Sequence, residues 1–262
     1  MDLKSTSLRI GTAGWSIARD CASSFPDEGN GLARYSTQFR CAEINSSFHR
    51  SHRASTWLRW AAEVPEDFRF SAKLSKEITH KRKLAQCEDL IGPAVEEMRL
   101  LGTRLAVVLV QLPPSLAFDL PLAQGFFALL RSSWSGGLAC EPRHPSWFEE
   151  EPDALLRDLG IARVAADPAR CAAAAVPGGW RDLAYWRLHG SPVTYRSSYD
   201  DGRLEAYAAA MLQAREEGRD VWCIFDNTAS SAATGDALKL KALTDPAPPL
   251  PAPPLPATHS RP

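Results

Sequence analysis

The sequence predicts an α/β protein built as a single (β/α)8 barrel of the TIM type. Eight short β-like apolar runs recur along the chain, and helical periodicity fills most of the gaps between them. The length of 262 residues suits such a barrel, which takes about 250. Polar residues of matching parity gather at the C-terminal ends of the runs, where this fold places its sites.

The runs cover residues 8–15, 41–47, 68–74, 105–112, 138–144, 161–167, 183–190 and 221–227. Between them, Trp57, Trp60, Ala61 and Val64 form a short helical stripe. Ile91, Val95 and Met98 form a second, and Leu204, Tyr207, Ala208, Met211 and Leu212 a third. Gly102 and Gly218 stand where helix ends are expected, and Pro121 and Pro152 where the fourth and fifth helices begin. The sixth helix is the weak one. Residues 168–175 are short and Ala-rich, and Pro177-Gly178-Gly179 follows, which reads as a degenerate helix and a loop. The alternative, an open doubly wound sheet, would carry a Gly-rich phosphate loop after the first run, and Gly11-Thr12-Ala13-Gly14 has the wrong spacing for one. The barrel is expected to occupy residues 1–245. The tail, 246–262 (PAPPLPAPPLPATHSRP), reads as a proline-rich disordered extension.

Composition narrows the function. The net charge is -1, without the basic excess of a nucleic-acid protein. No apolar run approaches the ~20 residues of a membrane span, and Met1–Ser5 lacks the apolar stretch of a signal peptide. A cytoplasmic protein is the expectation. The six cysteines, Cys21, Cys41, Cys87, Cys140, Cys171 and Cys223, form no C-x-x-C pair and read as reduced thiols.

Parity places the candidate site. Parallel strands covered by helices need apolar outer faces, so their polar residues belong inside. Glu43 and Asn45 share a face, as do Ser71 and Lys73, Glu141 and Arg143, and Arg187 and His189. Gln111 and Asp167 end two further runs, and Asp226-Asn227 ends the last. Arg143 and Arg187 are expected to bind a carboxylate or phosphate. Glu141 is the first choice for general acid or base and His189 for proton shuttling, with Glu43, Lys73 and Asp167 tuning them. Lys73 is expected to pair with Glu43 or Glu141; desolvated, it would serve as a base or form a Schiff base. Gly14, Trp15, Asn45, Gln111 and Asn227 are further candidates for ligand contact. Tyr199, with Tyr195 and Arg196, is a candidate lid, with ordinary loop anchoring as the competing reading. His144 has the opposite parity and is expected to brace its loop with Trp147. The competing reading of the whole cluster is a salt-bridge network that fills the mouth.

The same segments resemble the YecE-like family, catalogued as DUF-72, a domain of unknown function. The likeness runs from about residue 8 to 243. It rests on Ile10-Gly11-Thr12-Ala13-Gly14-Trp15, Glu43-Ile44-Asn45-Ser46-Ser47-Phe48, Phe70-Ser71-Ala72-Lys73 with Ile78-Thr79-His80, and Gln111-Leu112-Pro113-Pro114. It continues through Glu141-Pro142-Arg143-His144-Pro145-Ser146-Trp147, Ala166-Asp167, Tyr185-Trp186-Arg187-Leu188-His189-Gly190 and Phe225-Asp226-Asn227. The resemblance implies a TIM-type barrel and brings no established reaction. The chain departs from the family pattern at His49, in place of an aromatic, at Asp226, in place of an asparagine, and in residues 16–26.

The expected function is enzymatic: hydrolase or lyase chemistry, without an organic cofactor, on a small anionic or polyhydroxy metabolite. One alternative is a non-catalytic ligand or nucleic-acid binder using Arg50, Arg53, Lys81, Arg82 and Lys83. A weaker one is a metal-dependent phosphodiesterase. Glu43, Glu141, Asp167 and His189 are suitable metal ligands, but Lys73, Arg143 and Arg187 would repel a divalent ion. No metal is therefore expected.

Overall fold

Inward-facing side chains set the architecture of this computed structural model, which describes residues 6–245. The strands are β1 (Leu8–Thr12), β2 (Cys41–Ile44), β3 (Arg69–Lys73), β4 (Leu105–Gln111), β5 (Gly137–Glu141), β6 (Ile161–Arg163), β7 (Ala165–Asp167), β8 (Gly178–Gly179), β9 (Leu183–Leu188) and β10 (Asp220–Phe225). The helices are α1 (Gly31–Gln38), α2 (Ala54–Ala62), α3 (Glu88–Arg99), α4 (Leu120–Ser133), α5 (Glu150–Asp158), α6 (Asp201–Glu216) and α7 (Ala232–Thr244). Among the described residues no helix is long and apolar enough to cross a membrane, and all six cysteines are free.

All eight expected runs contain strands, in order, and the α/β alternation is present. Three details differ. In seven runs the strand stops one to three residues short of the expected C-terminal end, while β7 ends at Asp167 as expected. The run 161–167 is broken at Val164 into β6 and β7. The expected sixth helix is a 3-10 turn, Ala172–Ala175, followed by β8, which pairs antiparallel with β6. The proline-rich tail lies outside the described residues.

Hydrogen bonding divides the strands between two sheets, ordered β1-β10-β9-β7 and β2-β3-β4-β5-β6-β8, rather than a single closed ring. Every pairing except β6–β8 is parallel. The sheets approach along two seams. At one, Ala13 and Glu43 form a parallel bridge and Gly14 N–H donates to the Glu43 carbonyl at 2.8 Å. Gly11 permits this approach, since a Cβ there would fall 2.2 Å from the Cys41 carbonyl oxygen. At the other, β6 and β7 are separated by Val164 alone, whose N–H donates across to the Cys140 carbonyl at 2.8 Å.

Inner faces carry the core toward the site. Cys41, Val107, Leu109, Ala139, Ala162, Val164, Leu183, Tyr185, Trp222 and Ile224 form one buried apolar cluster. Two residues further along the same faces stand Glu43, Gln111, Glu141, Arg187 and Asp226. Apolar layers therefore give way to charged ones toward the C-terminal ends of the strands. A larger cluster packs the helices outside. Side-chain caps fix three helix starts: Asn30 for α1, Asp119 for α4 and Asp200 for α6 accept from first-turn N–H groups. Such caps contribute about 1 kcal/mol each.

Candidate functional site

Arg187, on β9, is the hub of the charged layer. It is fully buried, and all five of its N–H donors are used. Nε and Nη2 grip Glu43 at 3.0 and 2.7 Å. Nη1 donates to Glu141 at 2.6 Å and to His189 Nε2 at 2.9 Å. Nη2 also donates to Asp226 at 2.8 Å. The partners come from β2, β5 and the ends of β9 and β10, so the residue ties both sheets together. Burial alone would lower its pKa, but Glu43, Glu141 and Asp226 hold it well above the ordinary arginine value. No donor remains for a ligand. The expected anion-binding role of Arg187 is therefore corrected: it is the floor of the site, as the salt-bridge reading had it.

Beneath the floor, Tyr185 OH donates to Glu43 at 3.2 Å and shares a hydrogen with Ser71 Oγ at 2.8 Å. Above it, Arg143 ion-pairs with Glu141 Oε1 and donates to His189 Nε2 at 2.8 Å. Since arginine only donates, Nε2 is an acceptor and the ring proton sits on Nδ1, facing the Asp167 carbonyl at 3.1 Å. Burial pushes His189 down to about 3; Glu141 opposes this, and Arg187 and Arg143 reinforce it. His189 is a neutral bracket rather than the proton shuttle expected. Burial would raise Glu141, but Arg143 and Arg187 outweigh it and hold the group far below the carboxylate range. Such an acid is a poor proton donor near neutral pH. Gln111 adds a hydrogen bond to Glu141 at 3.3 Å. Asp226 moves the other way, since its burial raises the pKa more than Arg187 lowers it.

Lys73 differs from its neighbours. It ends β3 and is 5% exposed. The expected pairing with Glu43 or Glu141 is absent, because Arg187 already grips both carboxylates. Its Nζ instead lies 4.1 Å from the centre of the Phe48 ring. Burial first, then Arg187, lowers it from 10.5 to about 8, with Glu43 and Glu141 opposing. Asn45 Oδ1 and Arg143 Nε, two further polar atoms of this region, are buried without hydrogen-bond partners. His80 stacks edge-on against Phe48, their ring centres 4.9 Å apart.

The remaining candidates lie elsewhere. Asp167 pairs with Arg203 at 2.7 Å and accepts from Tyr199 OH at 2.7 Å. Tyr199 is buried rather than a lid; its hydroxyl also accepts from Gly190 N–H at 2.8 Å. Gly190 has a φ of 89°, and a Cβ there would meet the Ser197 carbonyl at 2.7 Å. Both Asn227 side-chain donors are spent, on Ser197 O at 2.9 Å and Asp236 at 2.7 Å. These residues bind the 190–199 loop down. Tyr195 is one of its exposed residues, and its ring faces His189 at 5.7 Å. Trp15 packs edge-on against Trp60 and Phe70, which takes its ring to the packed corner rather than to a ligand. Beside it, a Cβ on Gly14 would meet nothing within 4 Å. His144 braces its loop through Ser146, its Nδ1 2.8 Å from Oγ.

Parity could have found Tyr185, which shares its face with Arg187 and His189. Asp236 and Arg203 lie on helices and carry no such signal. Among the described residues no group of three or more His, Cys, Asp or Glu side chains is arranged to hold a metal ion; Arg187 occupies the point on which the carboxylates converge. In the proposed nucleic-acid ring, Lys81 pairs with Glu77 and Arg82 with Asp89. An open cavity of about 850 Å³ lies at the opposite, N-terminal ends of the strands. Its charges balance: Arg9, Arg69 and Arg131 against Asp158, Asp182 and Asp220. Arg131 there is spent on the carbonyls of Leu159, Trp134, Gly136 and Gly160.

Comparison with known proteins follows the same segments. Residues 9–259 match the family described as "Protein of unknown function DUF72". The UPF0759 protein YecE of Escherichia coli K12 is 32% identical over 142 residues, 52% of this chain and 52% of that protein; over that alignment the chain spans about half the relative's length. The UPF0759 protein YunF of Bacillus subtilis is 24% identical over 91% of this chain and 95% of its own. Among solved structures, a DUF72 family protein from Enterococcus faecalis superposes with a TM-score of 0.77 at 19% identity, covering 91% of this chain and 95% of that one. One from Thermotoga maritima gives 0.67 at 24% identity, covering 90% and 98%.

Proposed function

The chain belongs to the DUF72 family, and from that premise we propose an enzyme that seats a small anionic metabolite at the C-terminal ends of its strands. We read the two sheets as one (β/α)8 barrel wall. The Ala13–Glu43 bridge and the near-continuous run through β6 and β7 support that closure, and residues 6–245 are then one barrel domain. The seat lies between Arg143 and Lys73, with Asn45 and Gln111 beside them and the Arg187 cluster as its floor.

The observation that carries this reading is Lys73, a buried cation with no carboxylate partner among the described residues. A buried charge is costly until it is paired. The nearby cations Arg143, Arg187 and Lys73 match the carboxylates Glu43, Glu141 and Asp226 in number, and all three carboxylates are already engaged by arginine. Lys73 is thus the cation left for an anion to pair. Proton transfer falls to Lys73, whose pKa near 8 suits a general base, while Glu141 and His189 position Arg143 and Arg187. Hydrolase or lyase chemistry without an organic cofactor fits such a set.

A thermal-shift screen against phosphorylated sugars, organic acids and inorganic phosphate tests it. Binding to the native state alone raises the melting temperature by mass action. At least one anionic class should give a shift that Arg143→Ala and Lys73→Met each weaken about tenfold or more in affinity, equivalent to ~1.4 kcal/mol. Equal shifts in wild type and both variants would overturn the seat. Binding of a ligand without turnover would favour the non-catalytic reading.

A further inference from the structure

We propose that Lys73 is a covalent site, its amine condensing with the carbonyl carbon of an anionic oxo compound such as a keto acid or a phosphorylated aldehyde. This rests on reading the strand ends as an anion seat and names the substrate class for that seat.

Geometry carries the argument. A nucleophilic amine must be held in place and free of a carboxylate that would keep it protonated. Lys73 is held at the end of β3: Ser47 Oγ donates to its carbonyl at 2.7 Å, and Leu74 N–H donates to Leu109 O at 2.8 Å. Its Nζ makes no hydrogen bond or ion pair with the described residues, and faces Phe48 at 4.1 Å. Its natural counter-ions are withheld. Arg187 takes both oxygens of Glu43 and one of Glu141, while Arg143 takes the other. Asp226, the third carboxylate acting on Nζ, is engaged by Arg187 Nη2 at 2.8 Å, so each of the three already has a guanidinium partner. Burial and Arg187 lower Lys73 to about 8, so about one molecule in ten carries the neutral amine at pH 7. Arg143 stands in the same cluster, 11% exposed and with its Nε unpartnered, ready for the anionic group of the same ligand.

The step balances without an oxidant or reductant. The neutral amine's lone pair forms a C–N bond while the carbonyl π pair moves to oxygen, which takes up a proton. Nitrogen then gives up its second proton and the hydroxyl leaves as water. One amine and one carbonyl become one imine and one water.

The test uses the full chain with pyruvate, glyoxylate and glycolaldehyde phosphate, each with sodium cyanoborohydride, followed by intact mass and peptide mapping. The expected result with at least one probe is a single adduct, heavier by the probe's mass less one oxygen, on the peptide containing Lys73. Its rate should rise as pH passes through about 8. Arg143→Ala should slow it about tenfold or more, and Lys73→Arg should abolish it. Mapping on the wild-type chain stands even if a variant fails to fold. A thermal shift with these probes but no adduct at Lys73 overturns the covalent site and leaves the anion seat standing. Neither shift nor adduct overturns both. Labelling of exposed lysines such as Lys83 at the same rate as Lys73 also overturns the covalent site.

Discussion

At the scale of single residues, Arg187 and Lys73 show how one cation decides the chemistry of another. Arg187 satisfies three carboxylates with a planar five-donor fork. Lysine cannot copy this, having one nitrogen and no fork. Arg187→Lys is therefore expected to lose about 3–5 kcal/mol of stability, the usual result of leaving buried charges unpaired. Chemical denaturation checks it, and a loss under 1 kcal/mol would mean that the carboxylates find other partners. The presence of these polar residues at the strand ends was legible from strand parity. Their division of labour was not, because Arg187, Glu43, Glu141 and Asp226 lie far apart in the chain and only register brings them together. Asp226, noted in the sequence as a departure from the family pattern, is a third carboxylate on Arg187. His49, another departure, only packs edge-on against Phe48.

At the scale of elements, the loop after β9 is held by hydrogen bonds together with the packing of Tyr199 against Tyr207 and Phe225. Tyr199 OH links Gly190 to Asp167, and Asn227 links Ser197 to Asp236. Tyr199→Phe leaves the Gly190 N–H without its acceptor and Asp167 Oδ2 without the tyrosine donor, while Oδ1 keeps Arg203. A cost of about 1–3 kcal/mol follows. Hydrogen exchange should show the Gly190 amide opening faster while β3 and β4 stay protected. Uniformly faster exchange everywhere would mean that the tyrosine supports the whole fold instead. Sequence reading left Tyr199 between a lid and a loop anchor, because a loop tyrosine carries no sign of burial; the structure makes it an anchor. It read the strands well, since short, mostly apolar runs mark them directly. It missed β8, whose two glycines have no side chains to form a pattern.

At the scale of the whole molecule, the parallel strands deliver charged residues to one end, and one of them, Lys73, has no carboxylate partner among the described residues. The depressed pKa of Lys73 carries a stability signature. The folded chain binds fewer protons than the unfolded one between about 8 and 10.5, so this residue makes stability rise with pH across that window and costs stability below it. An anion seated against Nζ would remove part of that cost by favouring the ammonium. The most direct test is an NMR titration of the Lys73 side chain, with 13C-labelled lysine and assignment by Lys73→Arg. In the free protein its midpoint should lie near 8, and it should move upward when an anion found in the thermal-shift screen is added to saturation. A midpoint at the ordinary 10.5, unmoved by any anion, would contradict the account.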